Sequence, residues 1–185
     1  LGIQINEVYG MSECTGATTW STDESHVWGS CGYAMAGTEV AIIAVDEGGS
    51  GGKRFIPYAD DIFAPAESGQ GEICYRGRHI MMGYLSNPSL GADHVAEIQA
   101  KTAGAIDSEG WLHSGDKGCM SKDGMVRITG RFKELIIGAG GENIAPVPIE
   151  DHIKLLCPAI SNVMMVGDKR KYNTCLVTLK AEGAT

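Results

Sequence analysis

Three short stretches carry residue types that could do chemistry. The first is Tyr9-Gly10-Met11-Ser12-Glu13, which follows the run IQINEV. A hydroxyl beside a carboxylate, on a turn where glycine permits close approach, suits a phosphate-bound Mg2+. Ser12 would hydrogen-bond a phosphate oxygen, and Glu13 would hold the metal directly or through water. Tyr9 offers a flat ring to a base. The same five residues also read as a β-turn with a solvated glutamate. The second stretch is GWLHSGD, residues 110–116. An aspartate just after glycine, here Asp116, can accept two hydrogen bonds from a ribose diol, or it can cap a turn. His113 invites a general-base reading, but no serine or aspartate stands at a spacing that would complete a triad. The third stretch is GRFKELII, residues 130–137, continued by GAGGENI. Arg131 and Lys133 flank Phe132, and along a strand they would face the same way. GAGGEN lacks the spacing of a phosphate-cradling Walker loop and reads better as a glycine-rich hairpin turn.

These stretches have to be held by short elements. The 26 glycines fall mostly between β-like runs. Strands are expected at 39–45, 71–75, 125–128, 135–137, 162–166 and 175–179, all rich in β-branched or long apolar residues and bounded by glycine or charged turns. Residues 46–54, DEGGSGGKR, read as an exposed hairpin or insertion loop. Asn87-Pro88-Ser89 can start a helix over 91–100, with His94, Val95 and Ile98 at helical spacing. Pro148 can open a second helix over 149–156, which Pro158 would end. Strands therefore dominate to about Thr129, a small mixed α/β region follows, and the boundary is expected around 130–134.

Composition narrows the class. With 185 residues, 43% of them hydrophobic, the chain can bury a real core. Its net charge of -8, with no block of lysines or arginines, argues against nucleic acid or a polybasic membrane patch. No apolar run approaches the ~20 residues of a membrane span. The first ten residues lack the pattern of a signal peptide. Six scattered cysteines without a C-x-x-C pair suit reduced thiols in a cytosolic setting better than a disulfide framework or a cysteine metal site.

The order of the motifs is more specific than any one of them. YGMSE, GEICYRGRHIMMGYL, GWLHSGDKG and ITGRFKELIIGAGGENIAPVPIE, in that sequence, resemble consecutive core motifs of the adenylate-forming superfamily. That group includes acyl- and aryl-CoA synthetases, peptide-synthetase adenylation domains and firefly-type luciferases. The wording of HSGD, GR-x-KELII, AGGENI-x-PVPIE and SN-x-M-x-VGDKRKY is similar to long-chain fatty acyl-CoA synthetases, and within them to the bubblegum type. The resemblance covers nearly the whole chain outside residues 46–65.

The resemblance implies a mixed α/β fold. Residues 1–132 would form the end of a large adenylating domain with a β-barrel-like subdomain, and residues 133–185 the start of a small mobile α+β domain. It implies a two-step ligase. A long-chain fatty acid and ATP give an acyl-adenylate and pyrophosphate, and CoA then displaces AMP. ATP, Mg2+ and CoA are the implied cofactor and co-substrates. By similarity, Tyr9 packs on adenine, and the backbone of Gly10, Met11 and Ser12, with the Ser12 hydroxyl, approaches the α-phosphate. Glu13 helps to hold Mg2+, which makes Ser12 and Glu13 the expected catalytic pair. Asp116 and Arg131 both reach the ribose hydroxyls. Lys133 matches the hinge about which the small domain turns, and Gly140 and Gly141 match the turn lining the pantetheine route. Ser12 replaces a threonine common elsewhere in the superfamily and keeps its hydroxyl.

Two expected parts are missing from these residues. The glycine- and hydroxyl-rich loop that cradles the β- and γ-phosphates belongs upstream of YGMSE, and a lysine needed for adenylation belongs downstream of Thr185. With Leu1 in place of an initiator methionine, the chain reads as an internal piece of a larger enzyme, and its partners include the rest of that chain. The 185 residues alone are expected to show no ATP–pyrophosphate exchange. The implied location is cytoplasmic, with the cytosolic face of a membrane as a further expectation. A luciferase-like enzyme, a peptide-synthetase adenylation domain and a non-catalytic nucleotide-binding module are the competing readings.

Overall fold

The computed structural model describes residues 3, 5–45, 53–132 and 135–181. In chain order the strands are β1 (Val8–Met11), β2 (Gly16–Trp20), β3 (Tyr33–Ala34), β4 (Thr38–Ile43) and β5 (Gly71–Gly77). Helix α1 (Ala92–Ala105) follows, then β6 (Leu112–Met120), β7 (Val126–Arg131), β8 (Ile136–Ile137) and β9 (Asn143–Ile144). The described chain closes with α2 (Pro146–Leu156), β10 (Ile160–Val166) and β11 (Thr174–Leu179). Two compact units result, 1–129 and 130–185.

The first unit is built on two sheets, β1-β2-β3 and β4-β5-β6-β7. Alternation along β4 and β5 sorts side chains to two faces of the four-stranded sheet. Ile42, Ile73, Tyr75, Leu112 and Val126 pack in one cluster, where Cys14 and Ile56 join them and Tyr9 and Met11 lie against it. Ala41, Ile43, Cys74 and Trp111 form the cluster of the other face. Strands β5 and β6 run antiparallel, and their register slips. Glu72 faces Lys117 while Cys74 faces His113, so β6 spends two more residues than β5 over that interval. Gly115 takes up the excess with a φ of 75°, a conformation that a side chain would strain.

Helix α1 runs five residues past the expected 91–100. Gly91, at φ 97°, separates it from the short turn Pro88–Leu90, which the Asn87 side chain caps by accepting the Ser89 N–H at 3.1 Å. The run ends where Ile106 leaves the helix to pair with Leu112. The expected insertion loop at 46–54 falls almost wholly outside the described residues.

In the second unit β8 and β9 pair as an antiparallel hairpin, with the Gly141 N–H on the Gly138 carbonyl and the Gly138 N–H on the Glu142 carbonyl. GAGGEN is therefore the hairpin turn its composition suggests. Helix α2 opens at Pro146, three residues before the expected 149, because Pro146 fills the first-turn position where a missing N–H costs nothing. It packs on β10, whose Met165 N–H donates to Glu150 Oε1 at 2.6 Å. Strands β10 and β11 pair antiparallel from Ile160–Leu179 to Val166–Thr174. Among the described residues, no helix is long and apolar enough to cross a membrane.

Candidate functional site

Strand β1 enters the first sheet, stops at Met11 and passes into a single 3-10 turn, Ser12–Cys14, before β2 returns antiparallel. Thr15 closes that turn in the left-handed region, at φ 58°. The register shifts between Tyr9 and Gly10, bringing the two backbones so close that a Cβ on Gly10 would lie 1.9 Å from the Gly16 carbonyl oxygen. Only glycine fits there. The backbone of Gly10, Met11 and Ser12 lies against an open groove of about 520 Å3, lined also by Val8, Gly16 and Ala17. Ser12 is exposed, and Glu13, the next residue along the chain, is half-buried.

Tyr9 is the pivot of this arrangement. Its carbonyl accepts from Thr18 Oγ1 at 3.0 Å, and its ring lies tilted by 34° against Tyr75, with centroids 5.7 Å apart. Its hydroxyl donates to Asp116 Oδ2 across 107 residues of sequence. Burial and then the Asp116 carboxylate raise the Tyr9 pKa far above its ordinary value, so the phenol stays neutral and donates. Asp116 is only 4% exposed and sits inside β6, not at a turn. The bulge at Gly115 is what turns it toward Tyr9, and the Asp116 N–H is held by Ser114 Oγ at 3.0 Å. Ser114 Oγ in turn donates to the Ile73 carbonyl at 2.6 Å.

Glu13 receives a hydrogen bond from the Tyr84 hydroxyl at 2.9 Å on Oε1, and its carbonyl accepts the Met81 N–H at 2.8 Å. A half-buried carboxylate beside an exposed hydroxyl is an all-oxygen donor set open to solvent. That fits Mg2+, which binds through one or two carboxylates and keeps several waters.

His113 is no general base. Its Nδ1 faces Glu72 Oε2 at 2.7 Å and Cys74 Sγ at 3.6 Å, and its Nε2 faces Asp107 Oδ2 at 3.3 Å. The Cys74 and Glu72 contacts raise its pKa well above the ordinary histidine value, so the ring holds its proton at neutral pH.

The second unit carries the remaining expected residues. Arg131 is exposed at the end of β7. Gly140 and Gly141 lie in the β8–β9 turn, where the Gly141 φ of 85° is by itself a reason for glycine. Lys133 lies outside the described residues.

Comparison with known proteins matches residues 1–85 to the AMP-binding enzyme family and residues 133–185 to the AMP-binding enzyme C-terminal domain. The long-chain-fatty-acid–CoA ligase ACSBG2 of Gallus gallus is 47% identical over 180 residues, 97% of this chain and 20% of that protein. The ATP-bound crystal structure of MatB from Rhodopseudomonas palustris covers 100% of this chain and 32% of its own, at 27% identity and a TM-score of 0.70. For the fold alone, the O-succinylbenzoate CoA synthetase MenE of Bacillus subtilis, in complex with ATP and magnesium ion, covers 94% of this chain and 31% of its own. Its identity is 24% and its TM-score 0.68.

The chain belongs to the AMP-binding enzyme family.

Its fold is that of a mixed α/β piece of an adenylate-forming enzyme, and it spans about a fifth of the length of the curated ligases it matches. Of the residues marked for this AMP-binding chain, the structure joins Tyr9 to Asp116 directly and sets Gly10, Met11 and Ser12 along one groove. Tyr84, Thr18 and Tyr75 escaped the sequence reading as site residues. Tyr84 sits in the quoted motif GEICYRGRHIMMGYL, but only the fold brings its hydroxyl to Glu13, 71 residues away.

Proposed function

We propose that this chain supplies the AMP-binding surface of an ATP-dependent long-chain fatty acid–CoA ligase, the activity for which its relatives are named. The observation that carries the reading is the Tyr9–Asp116 hydrogen bond, which ties the YGMSE strand end to the HSGD strand. A desolvated carboxylate held at a fixed angle suits two-point recognition of a ribose diol, and the tyrosine ring beside it suits an adenine.

In this reading Tyr9 flanks the base, and Asp116 and Arg131 are each assigned to the ribose hydroxyls. The backbone of Gly10, Met11 and Ser12, with the Ser12 hydroxyl, meets the α-phosphate. Mg2+, held by Glu13, supplies charge stabilisation there when bound. The fatty-acid carboxylate is a weak nucleophile, so the protein's contribution is positioning rather than proton transfer. Residues 133–185 belong to the mobile small domain, with Lys133 as its hinge and Gly140 and Gly141 on the pantetheine route. CoA attack would follow rotation about that hinge. Residues 1–132 belong to the large domain.

The test is Asp116→Ala in the full-length enzyme. Removing a hydrogen-bonded charge costs about 1.5–3 kcal/mol. The Tyr9 hydroxyl already occupies one carboxylate oxygen, so the low end applies, and the KM for ATP is expected to rise about tenfold. An unchanged KM for ATP and kcat would remove Asp116 from the site. For the hinge, Lys133→Pro should impair thioester formation more than adenylation, and equal loss of both would refute it.

A further inference from the structure

On the face of the β4–β7 sheet away from Tyr9, β5 and β6 bring three donor atoms of different chemistry to one point. Glu72 Oε2, Cys74 Sγ and a ring nitrogen of His113 all lie within 4.8 Å of one another. Cys74 is fully buried, whereas the side chains of Glu72 and His113 are 14% and 27% exposed, so the point is reached from solvent on one side only. We propose that Glu72, Cys74 and His113 form a zinc(II) site, with water as the fourth ligand.

The geometry is close to what such an ion requires. Bonds of ~2.0–2.3 Å at tetrahedral angles place neighbouring ligand atoms roughly 3.4–3.6 Å apart. The Cys74–His113 separation of 3.6 Å already has that value. The Glu72–His113 contact of 2.7 Å is a hydrogen bond and must open by about 0.7 Å. The adjustment falls on the Glu72 side chain, whose Oε2 must also come within tetrahedral reach of Cys74 Sγ, from which it lies no more than 4.8 Å away. Both donors address the same imidazole nitrogen, Nδ1, and this nitrogen would bind the ion.

The surrounding groups are those that hold metal ligands in place. The other ring nitrogen, Nε2, faces Asp107 Oδ2 at 3.3 Å, the carboxylate-backed arrangement typical of metal-bound histidine. Asp107 is fixed by the N–H groups of Glu109 and Trp111 and by Lys53 Nζ at 2.6 Å. The second oxygen of Glu72 is held by the Gly115 N–H at 2.8 Å, which leaves Oε2 to point at the cluster. A thiolate, an imidazole and a carboxylate suit zinc among the common divalent ions, whereas Mg2+ and Ca2+ prefer oxygen alone. Binding is balanced by loss of two protons: one leaves the Cys74 thiol, and one leaves Nδ1 of the imidazolium, while Glu72 binds as the carboxylate it already is. The ion would clamp β5 to β6 across the very interval where their register slips.

The test uses cobalt(II) as a visible stand-in for zinc, added to the metal-free protein in a Cys157→Ser/Cys175→Ser background that removes the two exposed thiols. One equivalent of Co2+ is expected to give a near-ultraviolet thiolate-to-cobalt band and the intense visible bands of a four-coordinate ion, both displaced by one equivalent of Zn2+. Cys74→Ser should abolish the near-ultraviolet band and weaken binding at least tenfold. His113→Gln should also weaken binding at least tenfold while the thiol remains. Thermal unfolding of each metal-free variant shows whether it is folded, and if Cys74→Ser is not, His113→Gln decides by the same affinity criterion. No stoichiometric cobalt band, a band that survives Cys74→Ser, or unchanged affinity in His113→Gln overturns the proposal.

Discussion

Tyr9→Phe isolates the contact on which the site rests. It deletes one hydroxyl and leaves the ring against Tyr75, so the change falls on the hydrogen bond to Asp116. The acceptor is a carboxylate with 4% of its surface exposed, so solvent screening does little to reduce the interaction. Hydrogen bonds to charged groups contribute about 1.5–3 kcal/mol, and with Tyr9 itself half-buried the lower half of that range is expected. All three tryptophans, Trp20, Trp28 and Trp111, lie in the unit of residues 1–129. Urea unfolding followed by tryptophan fluorescence therefore reports that unit alone. With a urea dependence of about 2 kcal/mol per M, the midpoint should fall by roughly 0.75–1 M. Asp116→Asn keeps an acceptor but removes its charge, which about halves such a bond. In that background Tyr9→Phe should cost about half as much, a coupling close to 1 kcal/mol. Equal cost in both backgrounds, or less than about 0.5 kcal/mol in the parent, would refute the reasoning.

Gly10→Ala should destabilise the same unit by about 1–3 kcal/mol, because the new Cβ meets backbone and not a yielding side chain. A fluorescence melt within a degree of the parent would contradict the close approach of β1 and β2. Because burial and Asp116 raise the Tyr9 pKa, the neutral phenol stabilises the fold fully below the unfolded value of about 10, and that contribution is lost as pH climbs toward the folded value. The midpoint difference between parent and Tyr9→Phe should thus be level below about pH 10 and shrink above it, and widening there would be the opposite of what linkage demands. With an aromatic disulfide reagent, Cys157 and Cys175 should react at once, whereas Cys14, Cys74 and Cys119 should wait for unfolding. Burial, with help from Glu13, pushes the Cys14 thiol up to about 11, so fast labelling of Cys14 would count against its placement.

Runs of β-branched or long apolar residues announced β4, β5, β10 and β11, although β11 is exposed along its whole length. Strand β2 stayed hidden: its GATTW sequence buries Thr18 and Thr19 completely, and hydroxyl-bearing residues leave no apolar trace. Strand β6 is concealed for another reason. LHSGDKGCM holds two glycines and two charges, and it is a strand only because β5 and β7 flank it. Family wording proposed Tyr9 and Asp116 as site residues, yet neither spacing nor periodicity could show that one donates to the other. The cluster around His113 was illegible too, since Glu72 and Cys74 reach it through strand pairing and Asp107 through the turn before β6.

The length of chain between Tyr9 and Asp116 also sets when the site can exist. Closing the loop from Met11 to Gly16 costs about 1.4 kcal/mol of chain entropy, whereas closing the 107 residues from Tyr9 to Asp116 costs about 4 kcal/mol. The hairpin that presents the YGMS backbone can therefore form early and locally, but the carboxylate arrives only after β6 has found β5. On the ribosome, at about 5–20 residues per second, roughly 5–20 s separate the synthesis of the two residues. For that interval the β1–β2 hairpin is complete in shape while lacking the group that its tyrosine is to meet.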